Sequence, residues 1–229
     1  MNLIDGLMKT SLTKNESELY IALSREGELT GYEAAKITGI PRANTYQALA
    51  ALVDKGGAYV VEGDPARYIA VPVEEYCDNI MYQLKEVTDI IKKECPILRK
   101  PSEPYVTITG IKHIVNKMKN IINNAKERVY ISMSEAEAPY VKSELENAVS
   151  RGIKVVAIIS GNLEIEGAKL HTICKTPGQV RLIADSAYVL TGSIALSDTD
   201  SCLYSKNKPL VELIKDSLKN EIRLAMLKK

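Results

Sequence analysis

The stretch from Gly31 to Val71 leaves this chain few folds to choose from, because its punctuation spells helix, tight turn, helix and β-hairpin in unbroken order. Thr30-Gly31-Tyr32-Glu33 has capping-box spacing and opens a helix through Ala34, Ala35 and Ile37. Gly39 stops it, since glycine takes the left-handed backbone that a sharp turn requires. Pro41 suits the first turn of the next helix. Along that helix, at about 100° per residue, Thr45, Leu49, Leu52 and Val53 share one face while Asn44, Gln47, Ala51 and Lys55 point away. Upstream, Thr13 and Glu16 form another capping box for a helix with Leu19, Ala22 and Leu23 on one side, ended by Gly27.

After Gly56-Gly57, Tyr59-Val60-Val61 and Arg67-Tyr68-Ile69 read as two strands joined through Glu62-Gly63-Asp64-Pro65, whose Gly, Asp and Pro are turn formers. The whole is the order of a winged helix-turn-helix, which lays its second paired helix in the major groove of duplex DNA. Asn and Gln side chains there pair in bidentate fashion with adenine, Arg42 reaches guanine or phosphate, and Arg67 on the wing holds a phosphate. The candidate DNA contacts are therefore Arg42, Asn44, Thr45, Gln47, Lys55 and Arg67, with Thr45 also turned towards the packing face. A different reading stays open, that of a protein-binding adaptor whose wing never touches DNA. Through Pro72 the chain carries seven Lys and Arg against nine Asp and Glu, so no general basic footprint drives binding. Affinity then rests on few contacts and on dimerisation.

The run Gly39-Ile-Pro-Arg-Ala-Asn-Thr-Tyr-Gln-Ala-Leu49, then Leu52, Lys55-Gly56 and Arg67-Tyr68 followed by Ala70-Val71-Pro72, resembles the DNA-binding domain of TrmB-type transcriptional regulators. The resemblance covers about the first third and implies double-stranded DNA as partner.

The chain's 229 residues, 45% apolar and 26% charged, suit a globular protein with two cores. Cys77, Cys95, Cys174 and Cys202 show no C-x-x-C pair and read as reduced thiols. No metal or cofactor is implied. The N-terminus lacks a charged segment followed by an apolar one, and no run approaches the ~18 apolar residues of a membrane span, so a cytoplasmic location is expected. Between the wing and Pro101, Tyr76, Ile80, Leu84, Val87, Ile91, Cys95 and Leu98 follow steps of four and three, the narrow seam of a coiled coil, although Pro96 must kink or end the helix near Glu94. This segment, residues 73–100, is read as a helical linker that joins two copies. Packing on the following domain is the other possibility.

Pro101 and Pro104 punctuate a linker, after which strand and helix patterns alternate: Tyr105 to Ile108, a helix from about Gly110 to Ala125, Arg128 to Met133, a helix from about Pro139 to Ser150, and the apolar run Val155 to Ile159, which suits a strand buried on both faces. Val180 to Ile183 and Tyr188 to Leu190 read as a hairpin, and Leu210 to Leu227 as a terminal amphipathic helix. Three segments, Ala125 to Ser132, Ser150 to Val155 and Ile183 to Ser193, resemble one half of the phospholipase D fold. That family's signature is His-x-Lys-x(4)-Asp-x(6)-Gly-Ser. Asp185 and Gly192-Ser193 satisfy its second half, but Gly178 and Val180 stand where the resemblance places the nucleophilic His and phosphate-binding Lys. His171 and Lys175 lie several residues too early.

The expected architecture is multidomain α+β: residues 1–72 a winged helix-turn-helix, 73–100 a long linker helix, and 101–229 an α/β phospholipase D-like domain. The expected function is that of a homodimeric DNA-binding regulator, not an enzyme, whose second domain takes a small-molecule effector, a sugar or another compound. Ser132, Ser134, Ser160, Asn162 and Ser193, near strand ends where open α/β sheets bind ligands, are its candidate contacts. A phosphodiesterase or nuclease with a relocated histidine is the enzyme alternative.

Overall fold

The computed structural model describes residues 2–96, 105–161, 164–173, 177–195 and 199–227. Pro101, Pro104, Leu98, Asn162 and Lys175 lie outside the described residues. The chain divides into two compact units, Met1–Leu98 and Arg99–Lys229.

The first unit runs α1 (Leu3–Met8), α2 (Lys14–Glu26), β1 (Leu29–Thr30), α3 (Gly31–Thr38), α4 (Arg42–Asp54), β2 (Ala58–Val61), β3 (Arg67–Ala70) and α5 (Val73–Glu94). Both expected capping boxes are present, at Thr13/Glu16 and Thr30/Glu33, and Gly39 ends α3 with φ 73° in the left-handed region. A further box, Asn2 with Asp5, opens the unforeseen helix α1. β3 lies between β1 and β2, so the two-residue strand β1 turns the hairpin into a three-stranded antiparallel sheet.

The core gathers Leu19, Leu23, Ala34, Leu49 and Leu52 from α2, α3 and α4, and Tyr76 from α5. Tyr76 is almost wholly buried; its ring stacks on Tyr20 at 5.2 Å and its hydroxyl shares a 2.8 Å hydrogen bond with Thr10. Tyr20 in turn donates to the Val71 carbonyl. A boundary at residue 72 therefore cuts through a packed core, and the first turn of α5 belongs to the winged unit. Farther along, Leu84, Val87 and Ile91 of the expected seam are more than half exposed. The helix stops at Glu94 and Cys95 is extended, as the steric demand of Pro96 on the residue before it requires.

The second unit is a seven-stranded sheet in the order β4-β10-β9-β8-β5-β6-β7. Its strands are β4 (Val106–Thr109), β5 (Arg128–Ser134), β6 (Lys154–Ser160), β7 (Lys169–Thr172), β8 (Gln179–Ala184), β9 (Tyr188–Ser193) and β10 (Ser201–Ser205). β5, β6 and β7 are parallel and the other pairs antiparallel. Helices α6 (Ile111–Asn123) and α7 (Lys142–Ser150) cover one face and α8 (Lys208–Leu227) the other. Alternation along β5 sends Val129, Ile131 and Met133 to the first face and Tyr130 to the second. β6, with helices on both faces, is buried almost throughout, as its continuous apolar run implies. β7 and β10 escape the sequence reading because Lys-Leu-His-Thr and Ser-Cys-Leu-Tyr-Ser are short and half polar.

Replacing Tyr76 with Ala should cost the first unit about 3–5 kcal/mol, the range for truncating a fully buried aromatic. Urea titration read through amide exchange in α2 and α4 checks this, and a loss confined to α5 would contradict it.

Candidate nucleic-acid interface

What α4 shows outward follows from what it buries. Thr45, Leu49 and Leu52 are fully enclosed, which leaves Arg42, Asn44, Tyr46 and Gln47 exposed on the other side. Thr45 must be struck from the DNA contacts: its hydroxyl points inward and donates to the carbonyls of Ile40 and Pro41. Arg42 is not a loose cation, since its guanidinium sits 4.3 Å from the centre of the Tyr32 ring, on α3. Tyr46 lies against Gly31, where any Cβ would run into its ring. Tyr32 and Tyr46 are thus further exposed aromatic residues around Arg42, and position 46 lies four residues, about one turn, beyond it.

Lys55 also has a different task. Its ammonium is 2.7 Å from the Glu16 carboxylate and 2.9 Å from the Ser11 carbonyl, tying the end of α4 to the start of α2. Burial pushes the Glu16 carboxyl up, but Lys55 and the Thr13 donors outweigh it and hold it below the usual carboxylate range. Arg67 remains exposed on β3, opposite Val61, with a loose 3.8 Å ion pair to Glu28. Arg42, Asn44, Gln47 and Arg67 are thereby displayed, while Thr45 and Lys55 hold the display in place.

In the second unit the candidate ligand residues separate. Ser132 is fully buried and donates to Glu221 on α8, which also pairs with Arg181. Ser134 is nearly buried, and both its amide and its hydroxyl donate to Glu137. Both satisfy carboxylates within the fold. Ser160 is half-buried at the end of β6 and Ser193 exposed at the end of β9. The positions of the degenerate signature serve the fold as well. Gly178 has φ 85° and gives its amide to Glu137, and Val180 is sealed in the core. Gly192 lies so close to β10 that a Cβ would strike the backbone of Ser201 and Cys202. Asp185 turns β8 into β9 with φ 52°, and its carboxylate accepts from the amides of Lys126, Glu127 and Arg128. Burial pushes that carboxyl up, but the three amides prevail and hold it low.

The family description "Sugar-specific transcriptional regulator TrmB" matches residues 7–74, and "Transcriptional regulator TrmB, EBD N-terminal subdomain" matches residues 105–221, half of the chain. The chain belongs to the TrmB family. Among its relatives, the uncharacterized protein YrhO of Bacillus subtilis is 31% identical over 173 residues, spanning 74% of this chain and 63% of that protein. The HTH-type sugar sensing transcriptional regulator TrmBL1 of Pyrococcus furiosus is 27% identical over 168 residues, spanning 71% of this chain and 48% of its own length. The chain thus matches less than two thirds of the length of either relative. Among solved structures, the archaeal chromatin protein TrmBL2 overlays with TM-score 0.47 at 20% identity, covering 95% of this chain and 96% of that one. Nuc from Salmonella typhimurium, a phospholipase D family member, does so with TM-score 0.43 at 19% identity, covering 52% and 94%.

In this TrmB-family chain the Glu16–Lys55 tie should be a matter of stability. Lys55→Met is expected to destabilise the first unit by about 1.5–3 kcal/mol, the worth of a charged hydrogen bond to a buried group. Because the Glu16 carboxyl is held low in the folded state, its contribution is complete above the ordinary carboxylate range and is lost as pH falls through the folded value. Glu16→Gln should remove that share of the acid slope, measured by urea titrations between pH 3 and about pH 7. An unchanged slope would contradict the tie.

Proposed function

We propose that this chain is a cytoplasmic, homodimeric, sequence-specific DNA-binding transcriptional regulator whose second unit is non-catalytic and responds to a small-molecule effector. The observation that carries the reading is the exposure along α4 of Arg42, braced by Tyr32, and of the two amide side chains of Asn44 and Gln47. Amides and guanidinium are the groups that read base edges in the major groove. Arg67 on the wing supplies a phosphate contact. TrmB-family membership supports the same reading, as do the names of relatives: a sugar sensing transcriptional regulator and a DNA-binding transcriptional repressor. Among the described residues no helix is long and apolar enough to cross a membrane.

Dimerisation is inferred from α5. Leu84, Val87 and Ile91 lie along one stripe and are 56%, 52% and 57% exposed. A second copy of the same helix offers the same stripe at the same spacing, and two reading heads match two half-sites about one DNA turn apart. The acidic balance of the first 72 residues makes pairing more necessary, because one head has little non-specific attraction for phosphate. Against catalysis stand Gly178, Val180 and an Asp185 whose carboxylate is spent on three backbone amides. Phosphodiester hydrolysis abolished by His171→Ala would overturn the non-catalytic reading.

Asn44→Ala and Gln47→Ala should each weaken binding to a selected cognate duplex by about 1–3 kcal/mol and relax preference at one base position, while Arg67→Ala weakens all duplexes evenly. Fluorescence anisotropy measures both; amide variants that bind as tightly as the parent would refute the assignment of α4. Replacing Leu84, Val87 and Ile91 together by Lys should yield monomers in sedimentation, with operator affinity reduced at least tenfold. A dimer that survives would place the interface elsewhere.

A further inference from the structure

A cleft of about 360 Å³ opens in the second unit between α6 and the β8–β9 turn. Two of its lining residues, Tyr204 and Tyr188, carry an ammonium over the ring; Lys117 lines the cleft itself and Lys206 lies beside it on Tyr188. The Lys117 ammonium lies 3.9 Å from the centre of the Tyr204 ring, and that of Lys206 lies 5.1 Å from the centre of Tyr188. Lys126 lines the same cleft, as do the amides Asn120 and Asn124. The carboxylate at its edge, Asp185, is engaged by three backbone amides.

From this juxtaposition we propose that the cleft binds a small dianion, a phosphoryl group either free or carried on a compact organic molecule. The positive groups outnumber the one carboxylate, and the tyrosine rings orient two of them, so a dianion finds charge fixed in advance. Burial and the neighbouring Lys206 ammonium together hold Lys117 below the usual lysine range. Two like charges kept in mutual repulsion are what a bound dianion relieves. The cleft's volume is at the lower end of that of small-molecule pockets, which favours a compact ligand over a nucleic-acid backbone. It shares Asp185 with the degenerate signature but lies at the far end of the hairpin from that signature's Gly178 and Ser193 positions. Gly178 and Ser193 sit at one end of the β8–β9 hairpin and Asp185 and Tyr188 at the other, roughly 17 Å away along the strands.

That filling this cleft is what the second unit senses rests on the regulator reading above; that it takes a dianion does not. Isothermal titration of the full chain with inorganic pyrophosphate at constant ionic strength should give saturable, single-site binding. The Lys117→Gln, Lys206→Gln double variant should bind at least tenfold more weakly, with an unchanged melting temperature. Absence of saturable binding to the parent, or equal affinity in the variant, would overturn the proposal. So would a variant that loses binding to random-sequence duplex while its pyrophosphate affinity is unaltered, which would give the lysines to DNA. Operator affinity with and without pyrophosphate is a separate reading: cleft binding that leaves the operator unaffected refutes only the sensing role.

Discussion

The direction in which α4 faces depends on three side chains that never meet solvent. Thr45, Leu49 and Leu52 are wholly enclosed against α2 and α3, and a helix pinned along one side cannot rotate the other. Thr45 could have been costly there, as a buried hydroxyl is, but the Ile40 and Pro41 carbonyls accept from it. At the far end Lys55 reaches back to Glu16, the same residue that caps α2, so one carboxylate fixes both helices. Arg42, Asn44, Tyr46 and Gln47 owe their exposure to this arrangement, and Tyr32 adds a platform under Arg42.

Local signals carried most of the first unit. The capping boxes at Thr13 and Thr30, the left-handed Gly39, and the turn residues between β2 and β3 act over a few positions, and each could be read from spacing alone. What remained illegible was long-range. Lys55 reads as an exposed cation on a helical wheel, and only folding brings it to Glu16, 39 positions earlier. Ser132 and Ser134 sit near a strand end, where ligands often bind, yet their partners are Glu221, 89 positions away, and Glu137. Thr45 was assigned to DNA for its chemistry although its helical angle already set it with Leu49. Tyr76 looked like the first rung of a coiled-coil seam because period alone cannot say which domain a helix packs upon.

The second unit uses its former signature residues as structural parts. A glycine at 178 permits a left-handed turn, a glycine at 192 lets two strands approach, and an aspartate at 185 ties the β8–β9 turn to the start of β5. Three carboxylates, Glu137, Asp185 and Glu221, are bonded to amides, hydroxyls or a guanidinium. In contrast, Lys117 and Lys206 lie over the rings of Tyr204 and Tyr188, two residues that line a cleft.

The first 72 residues carry more acidic than basic side chains, so on the proposed reading affinity comes from base edges and from a second copy rather than from charge. Selection of bound duplexes from a randomised library by the full chain tests this most directly. The account predicts an enriched inverted repeat whose half-sites are spaced by about 10 bp or a multiple of it, centre to centre. A library that stays unenriched, or a single isolated half-site bound by a monomer, would contradict it.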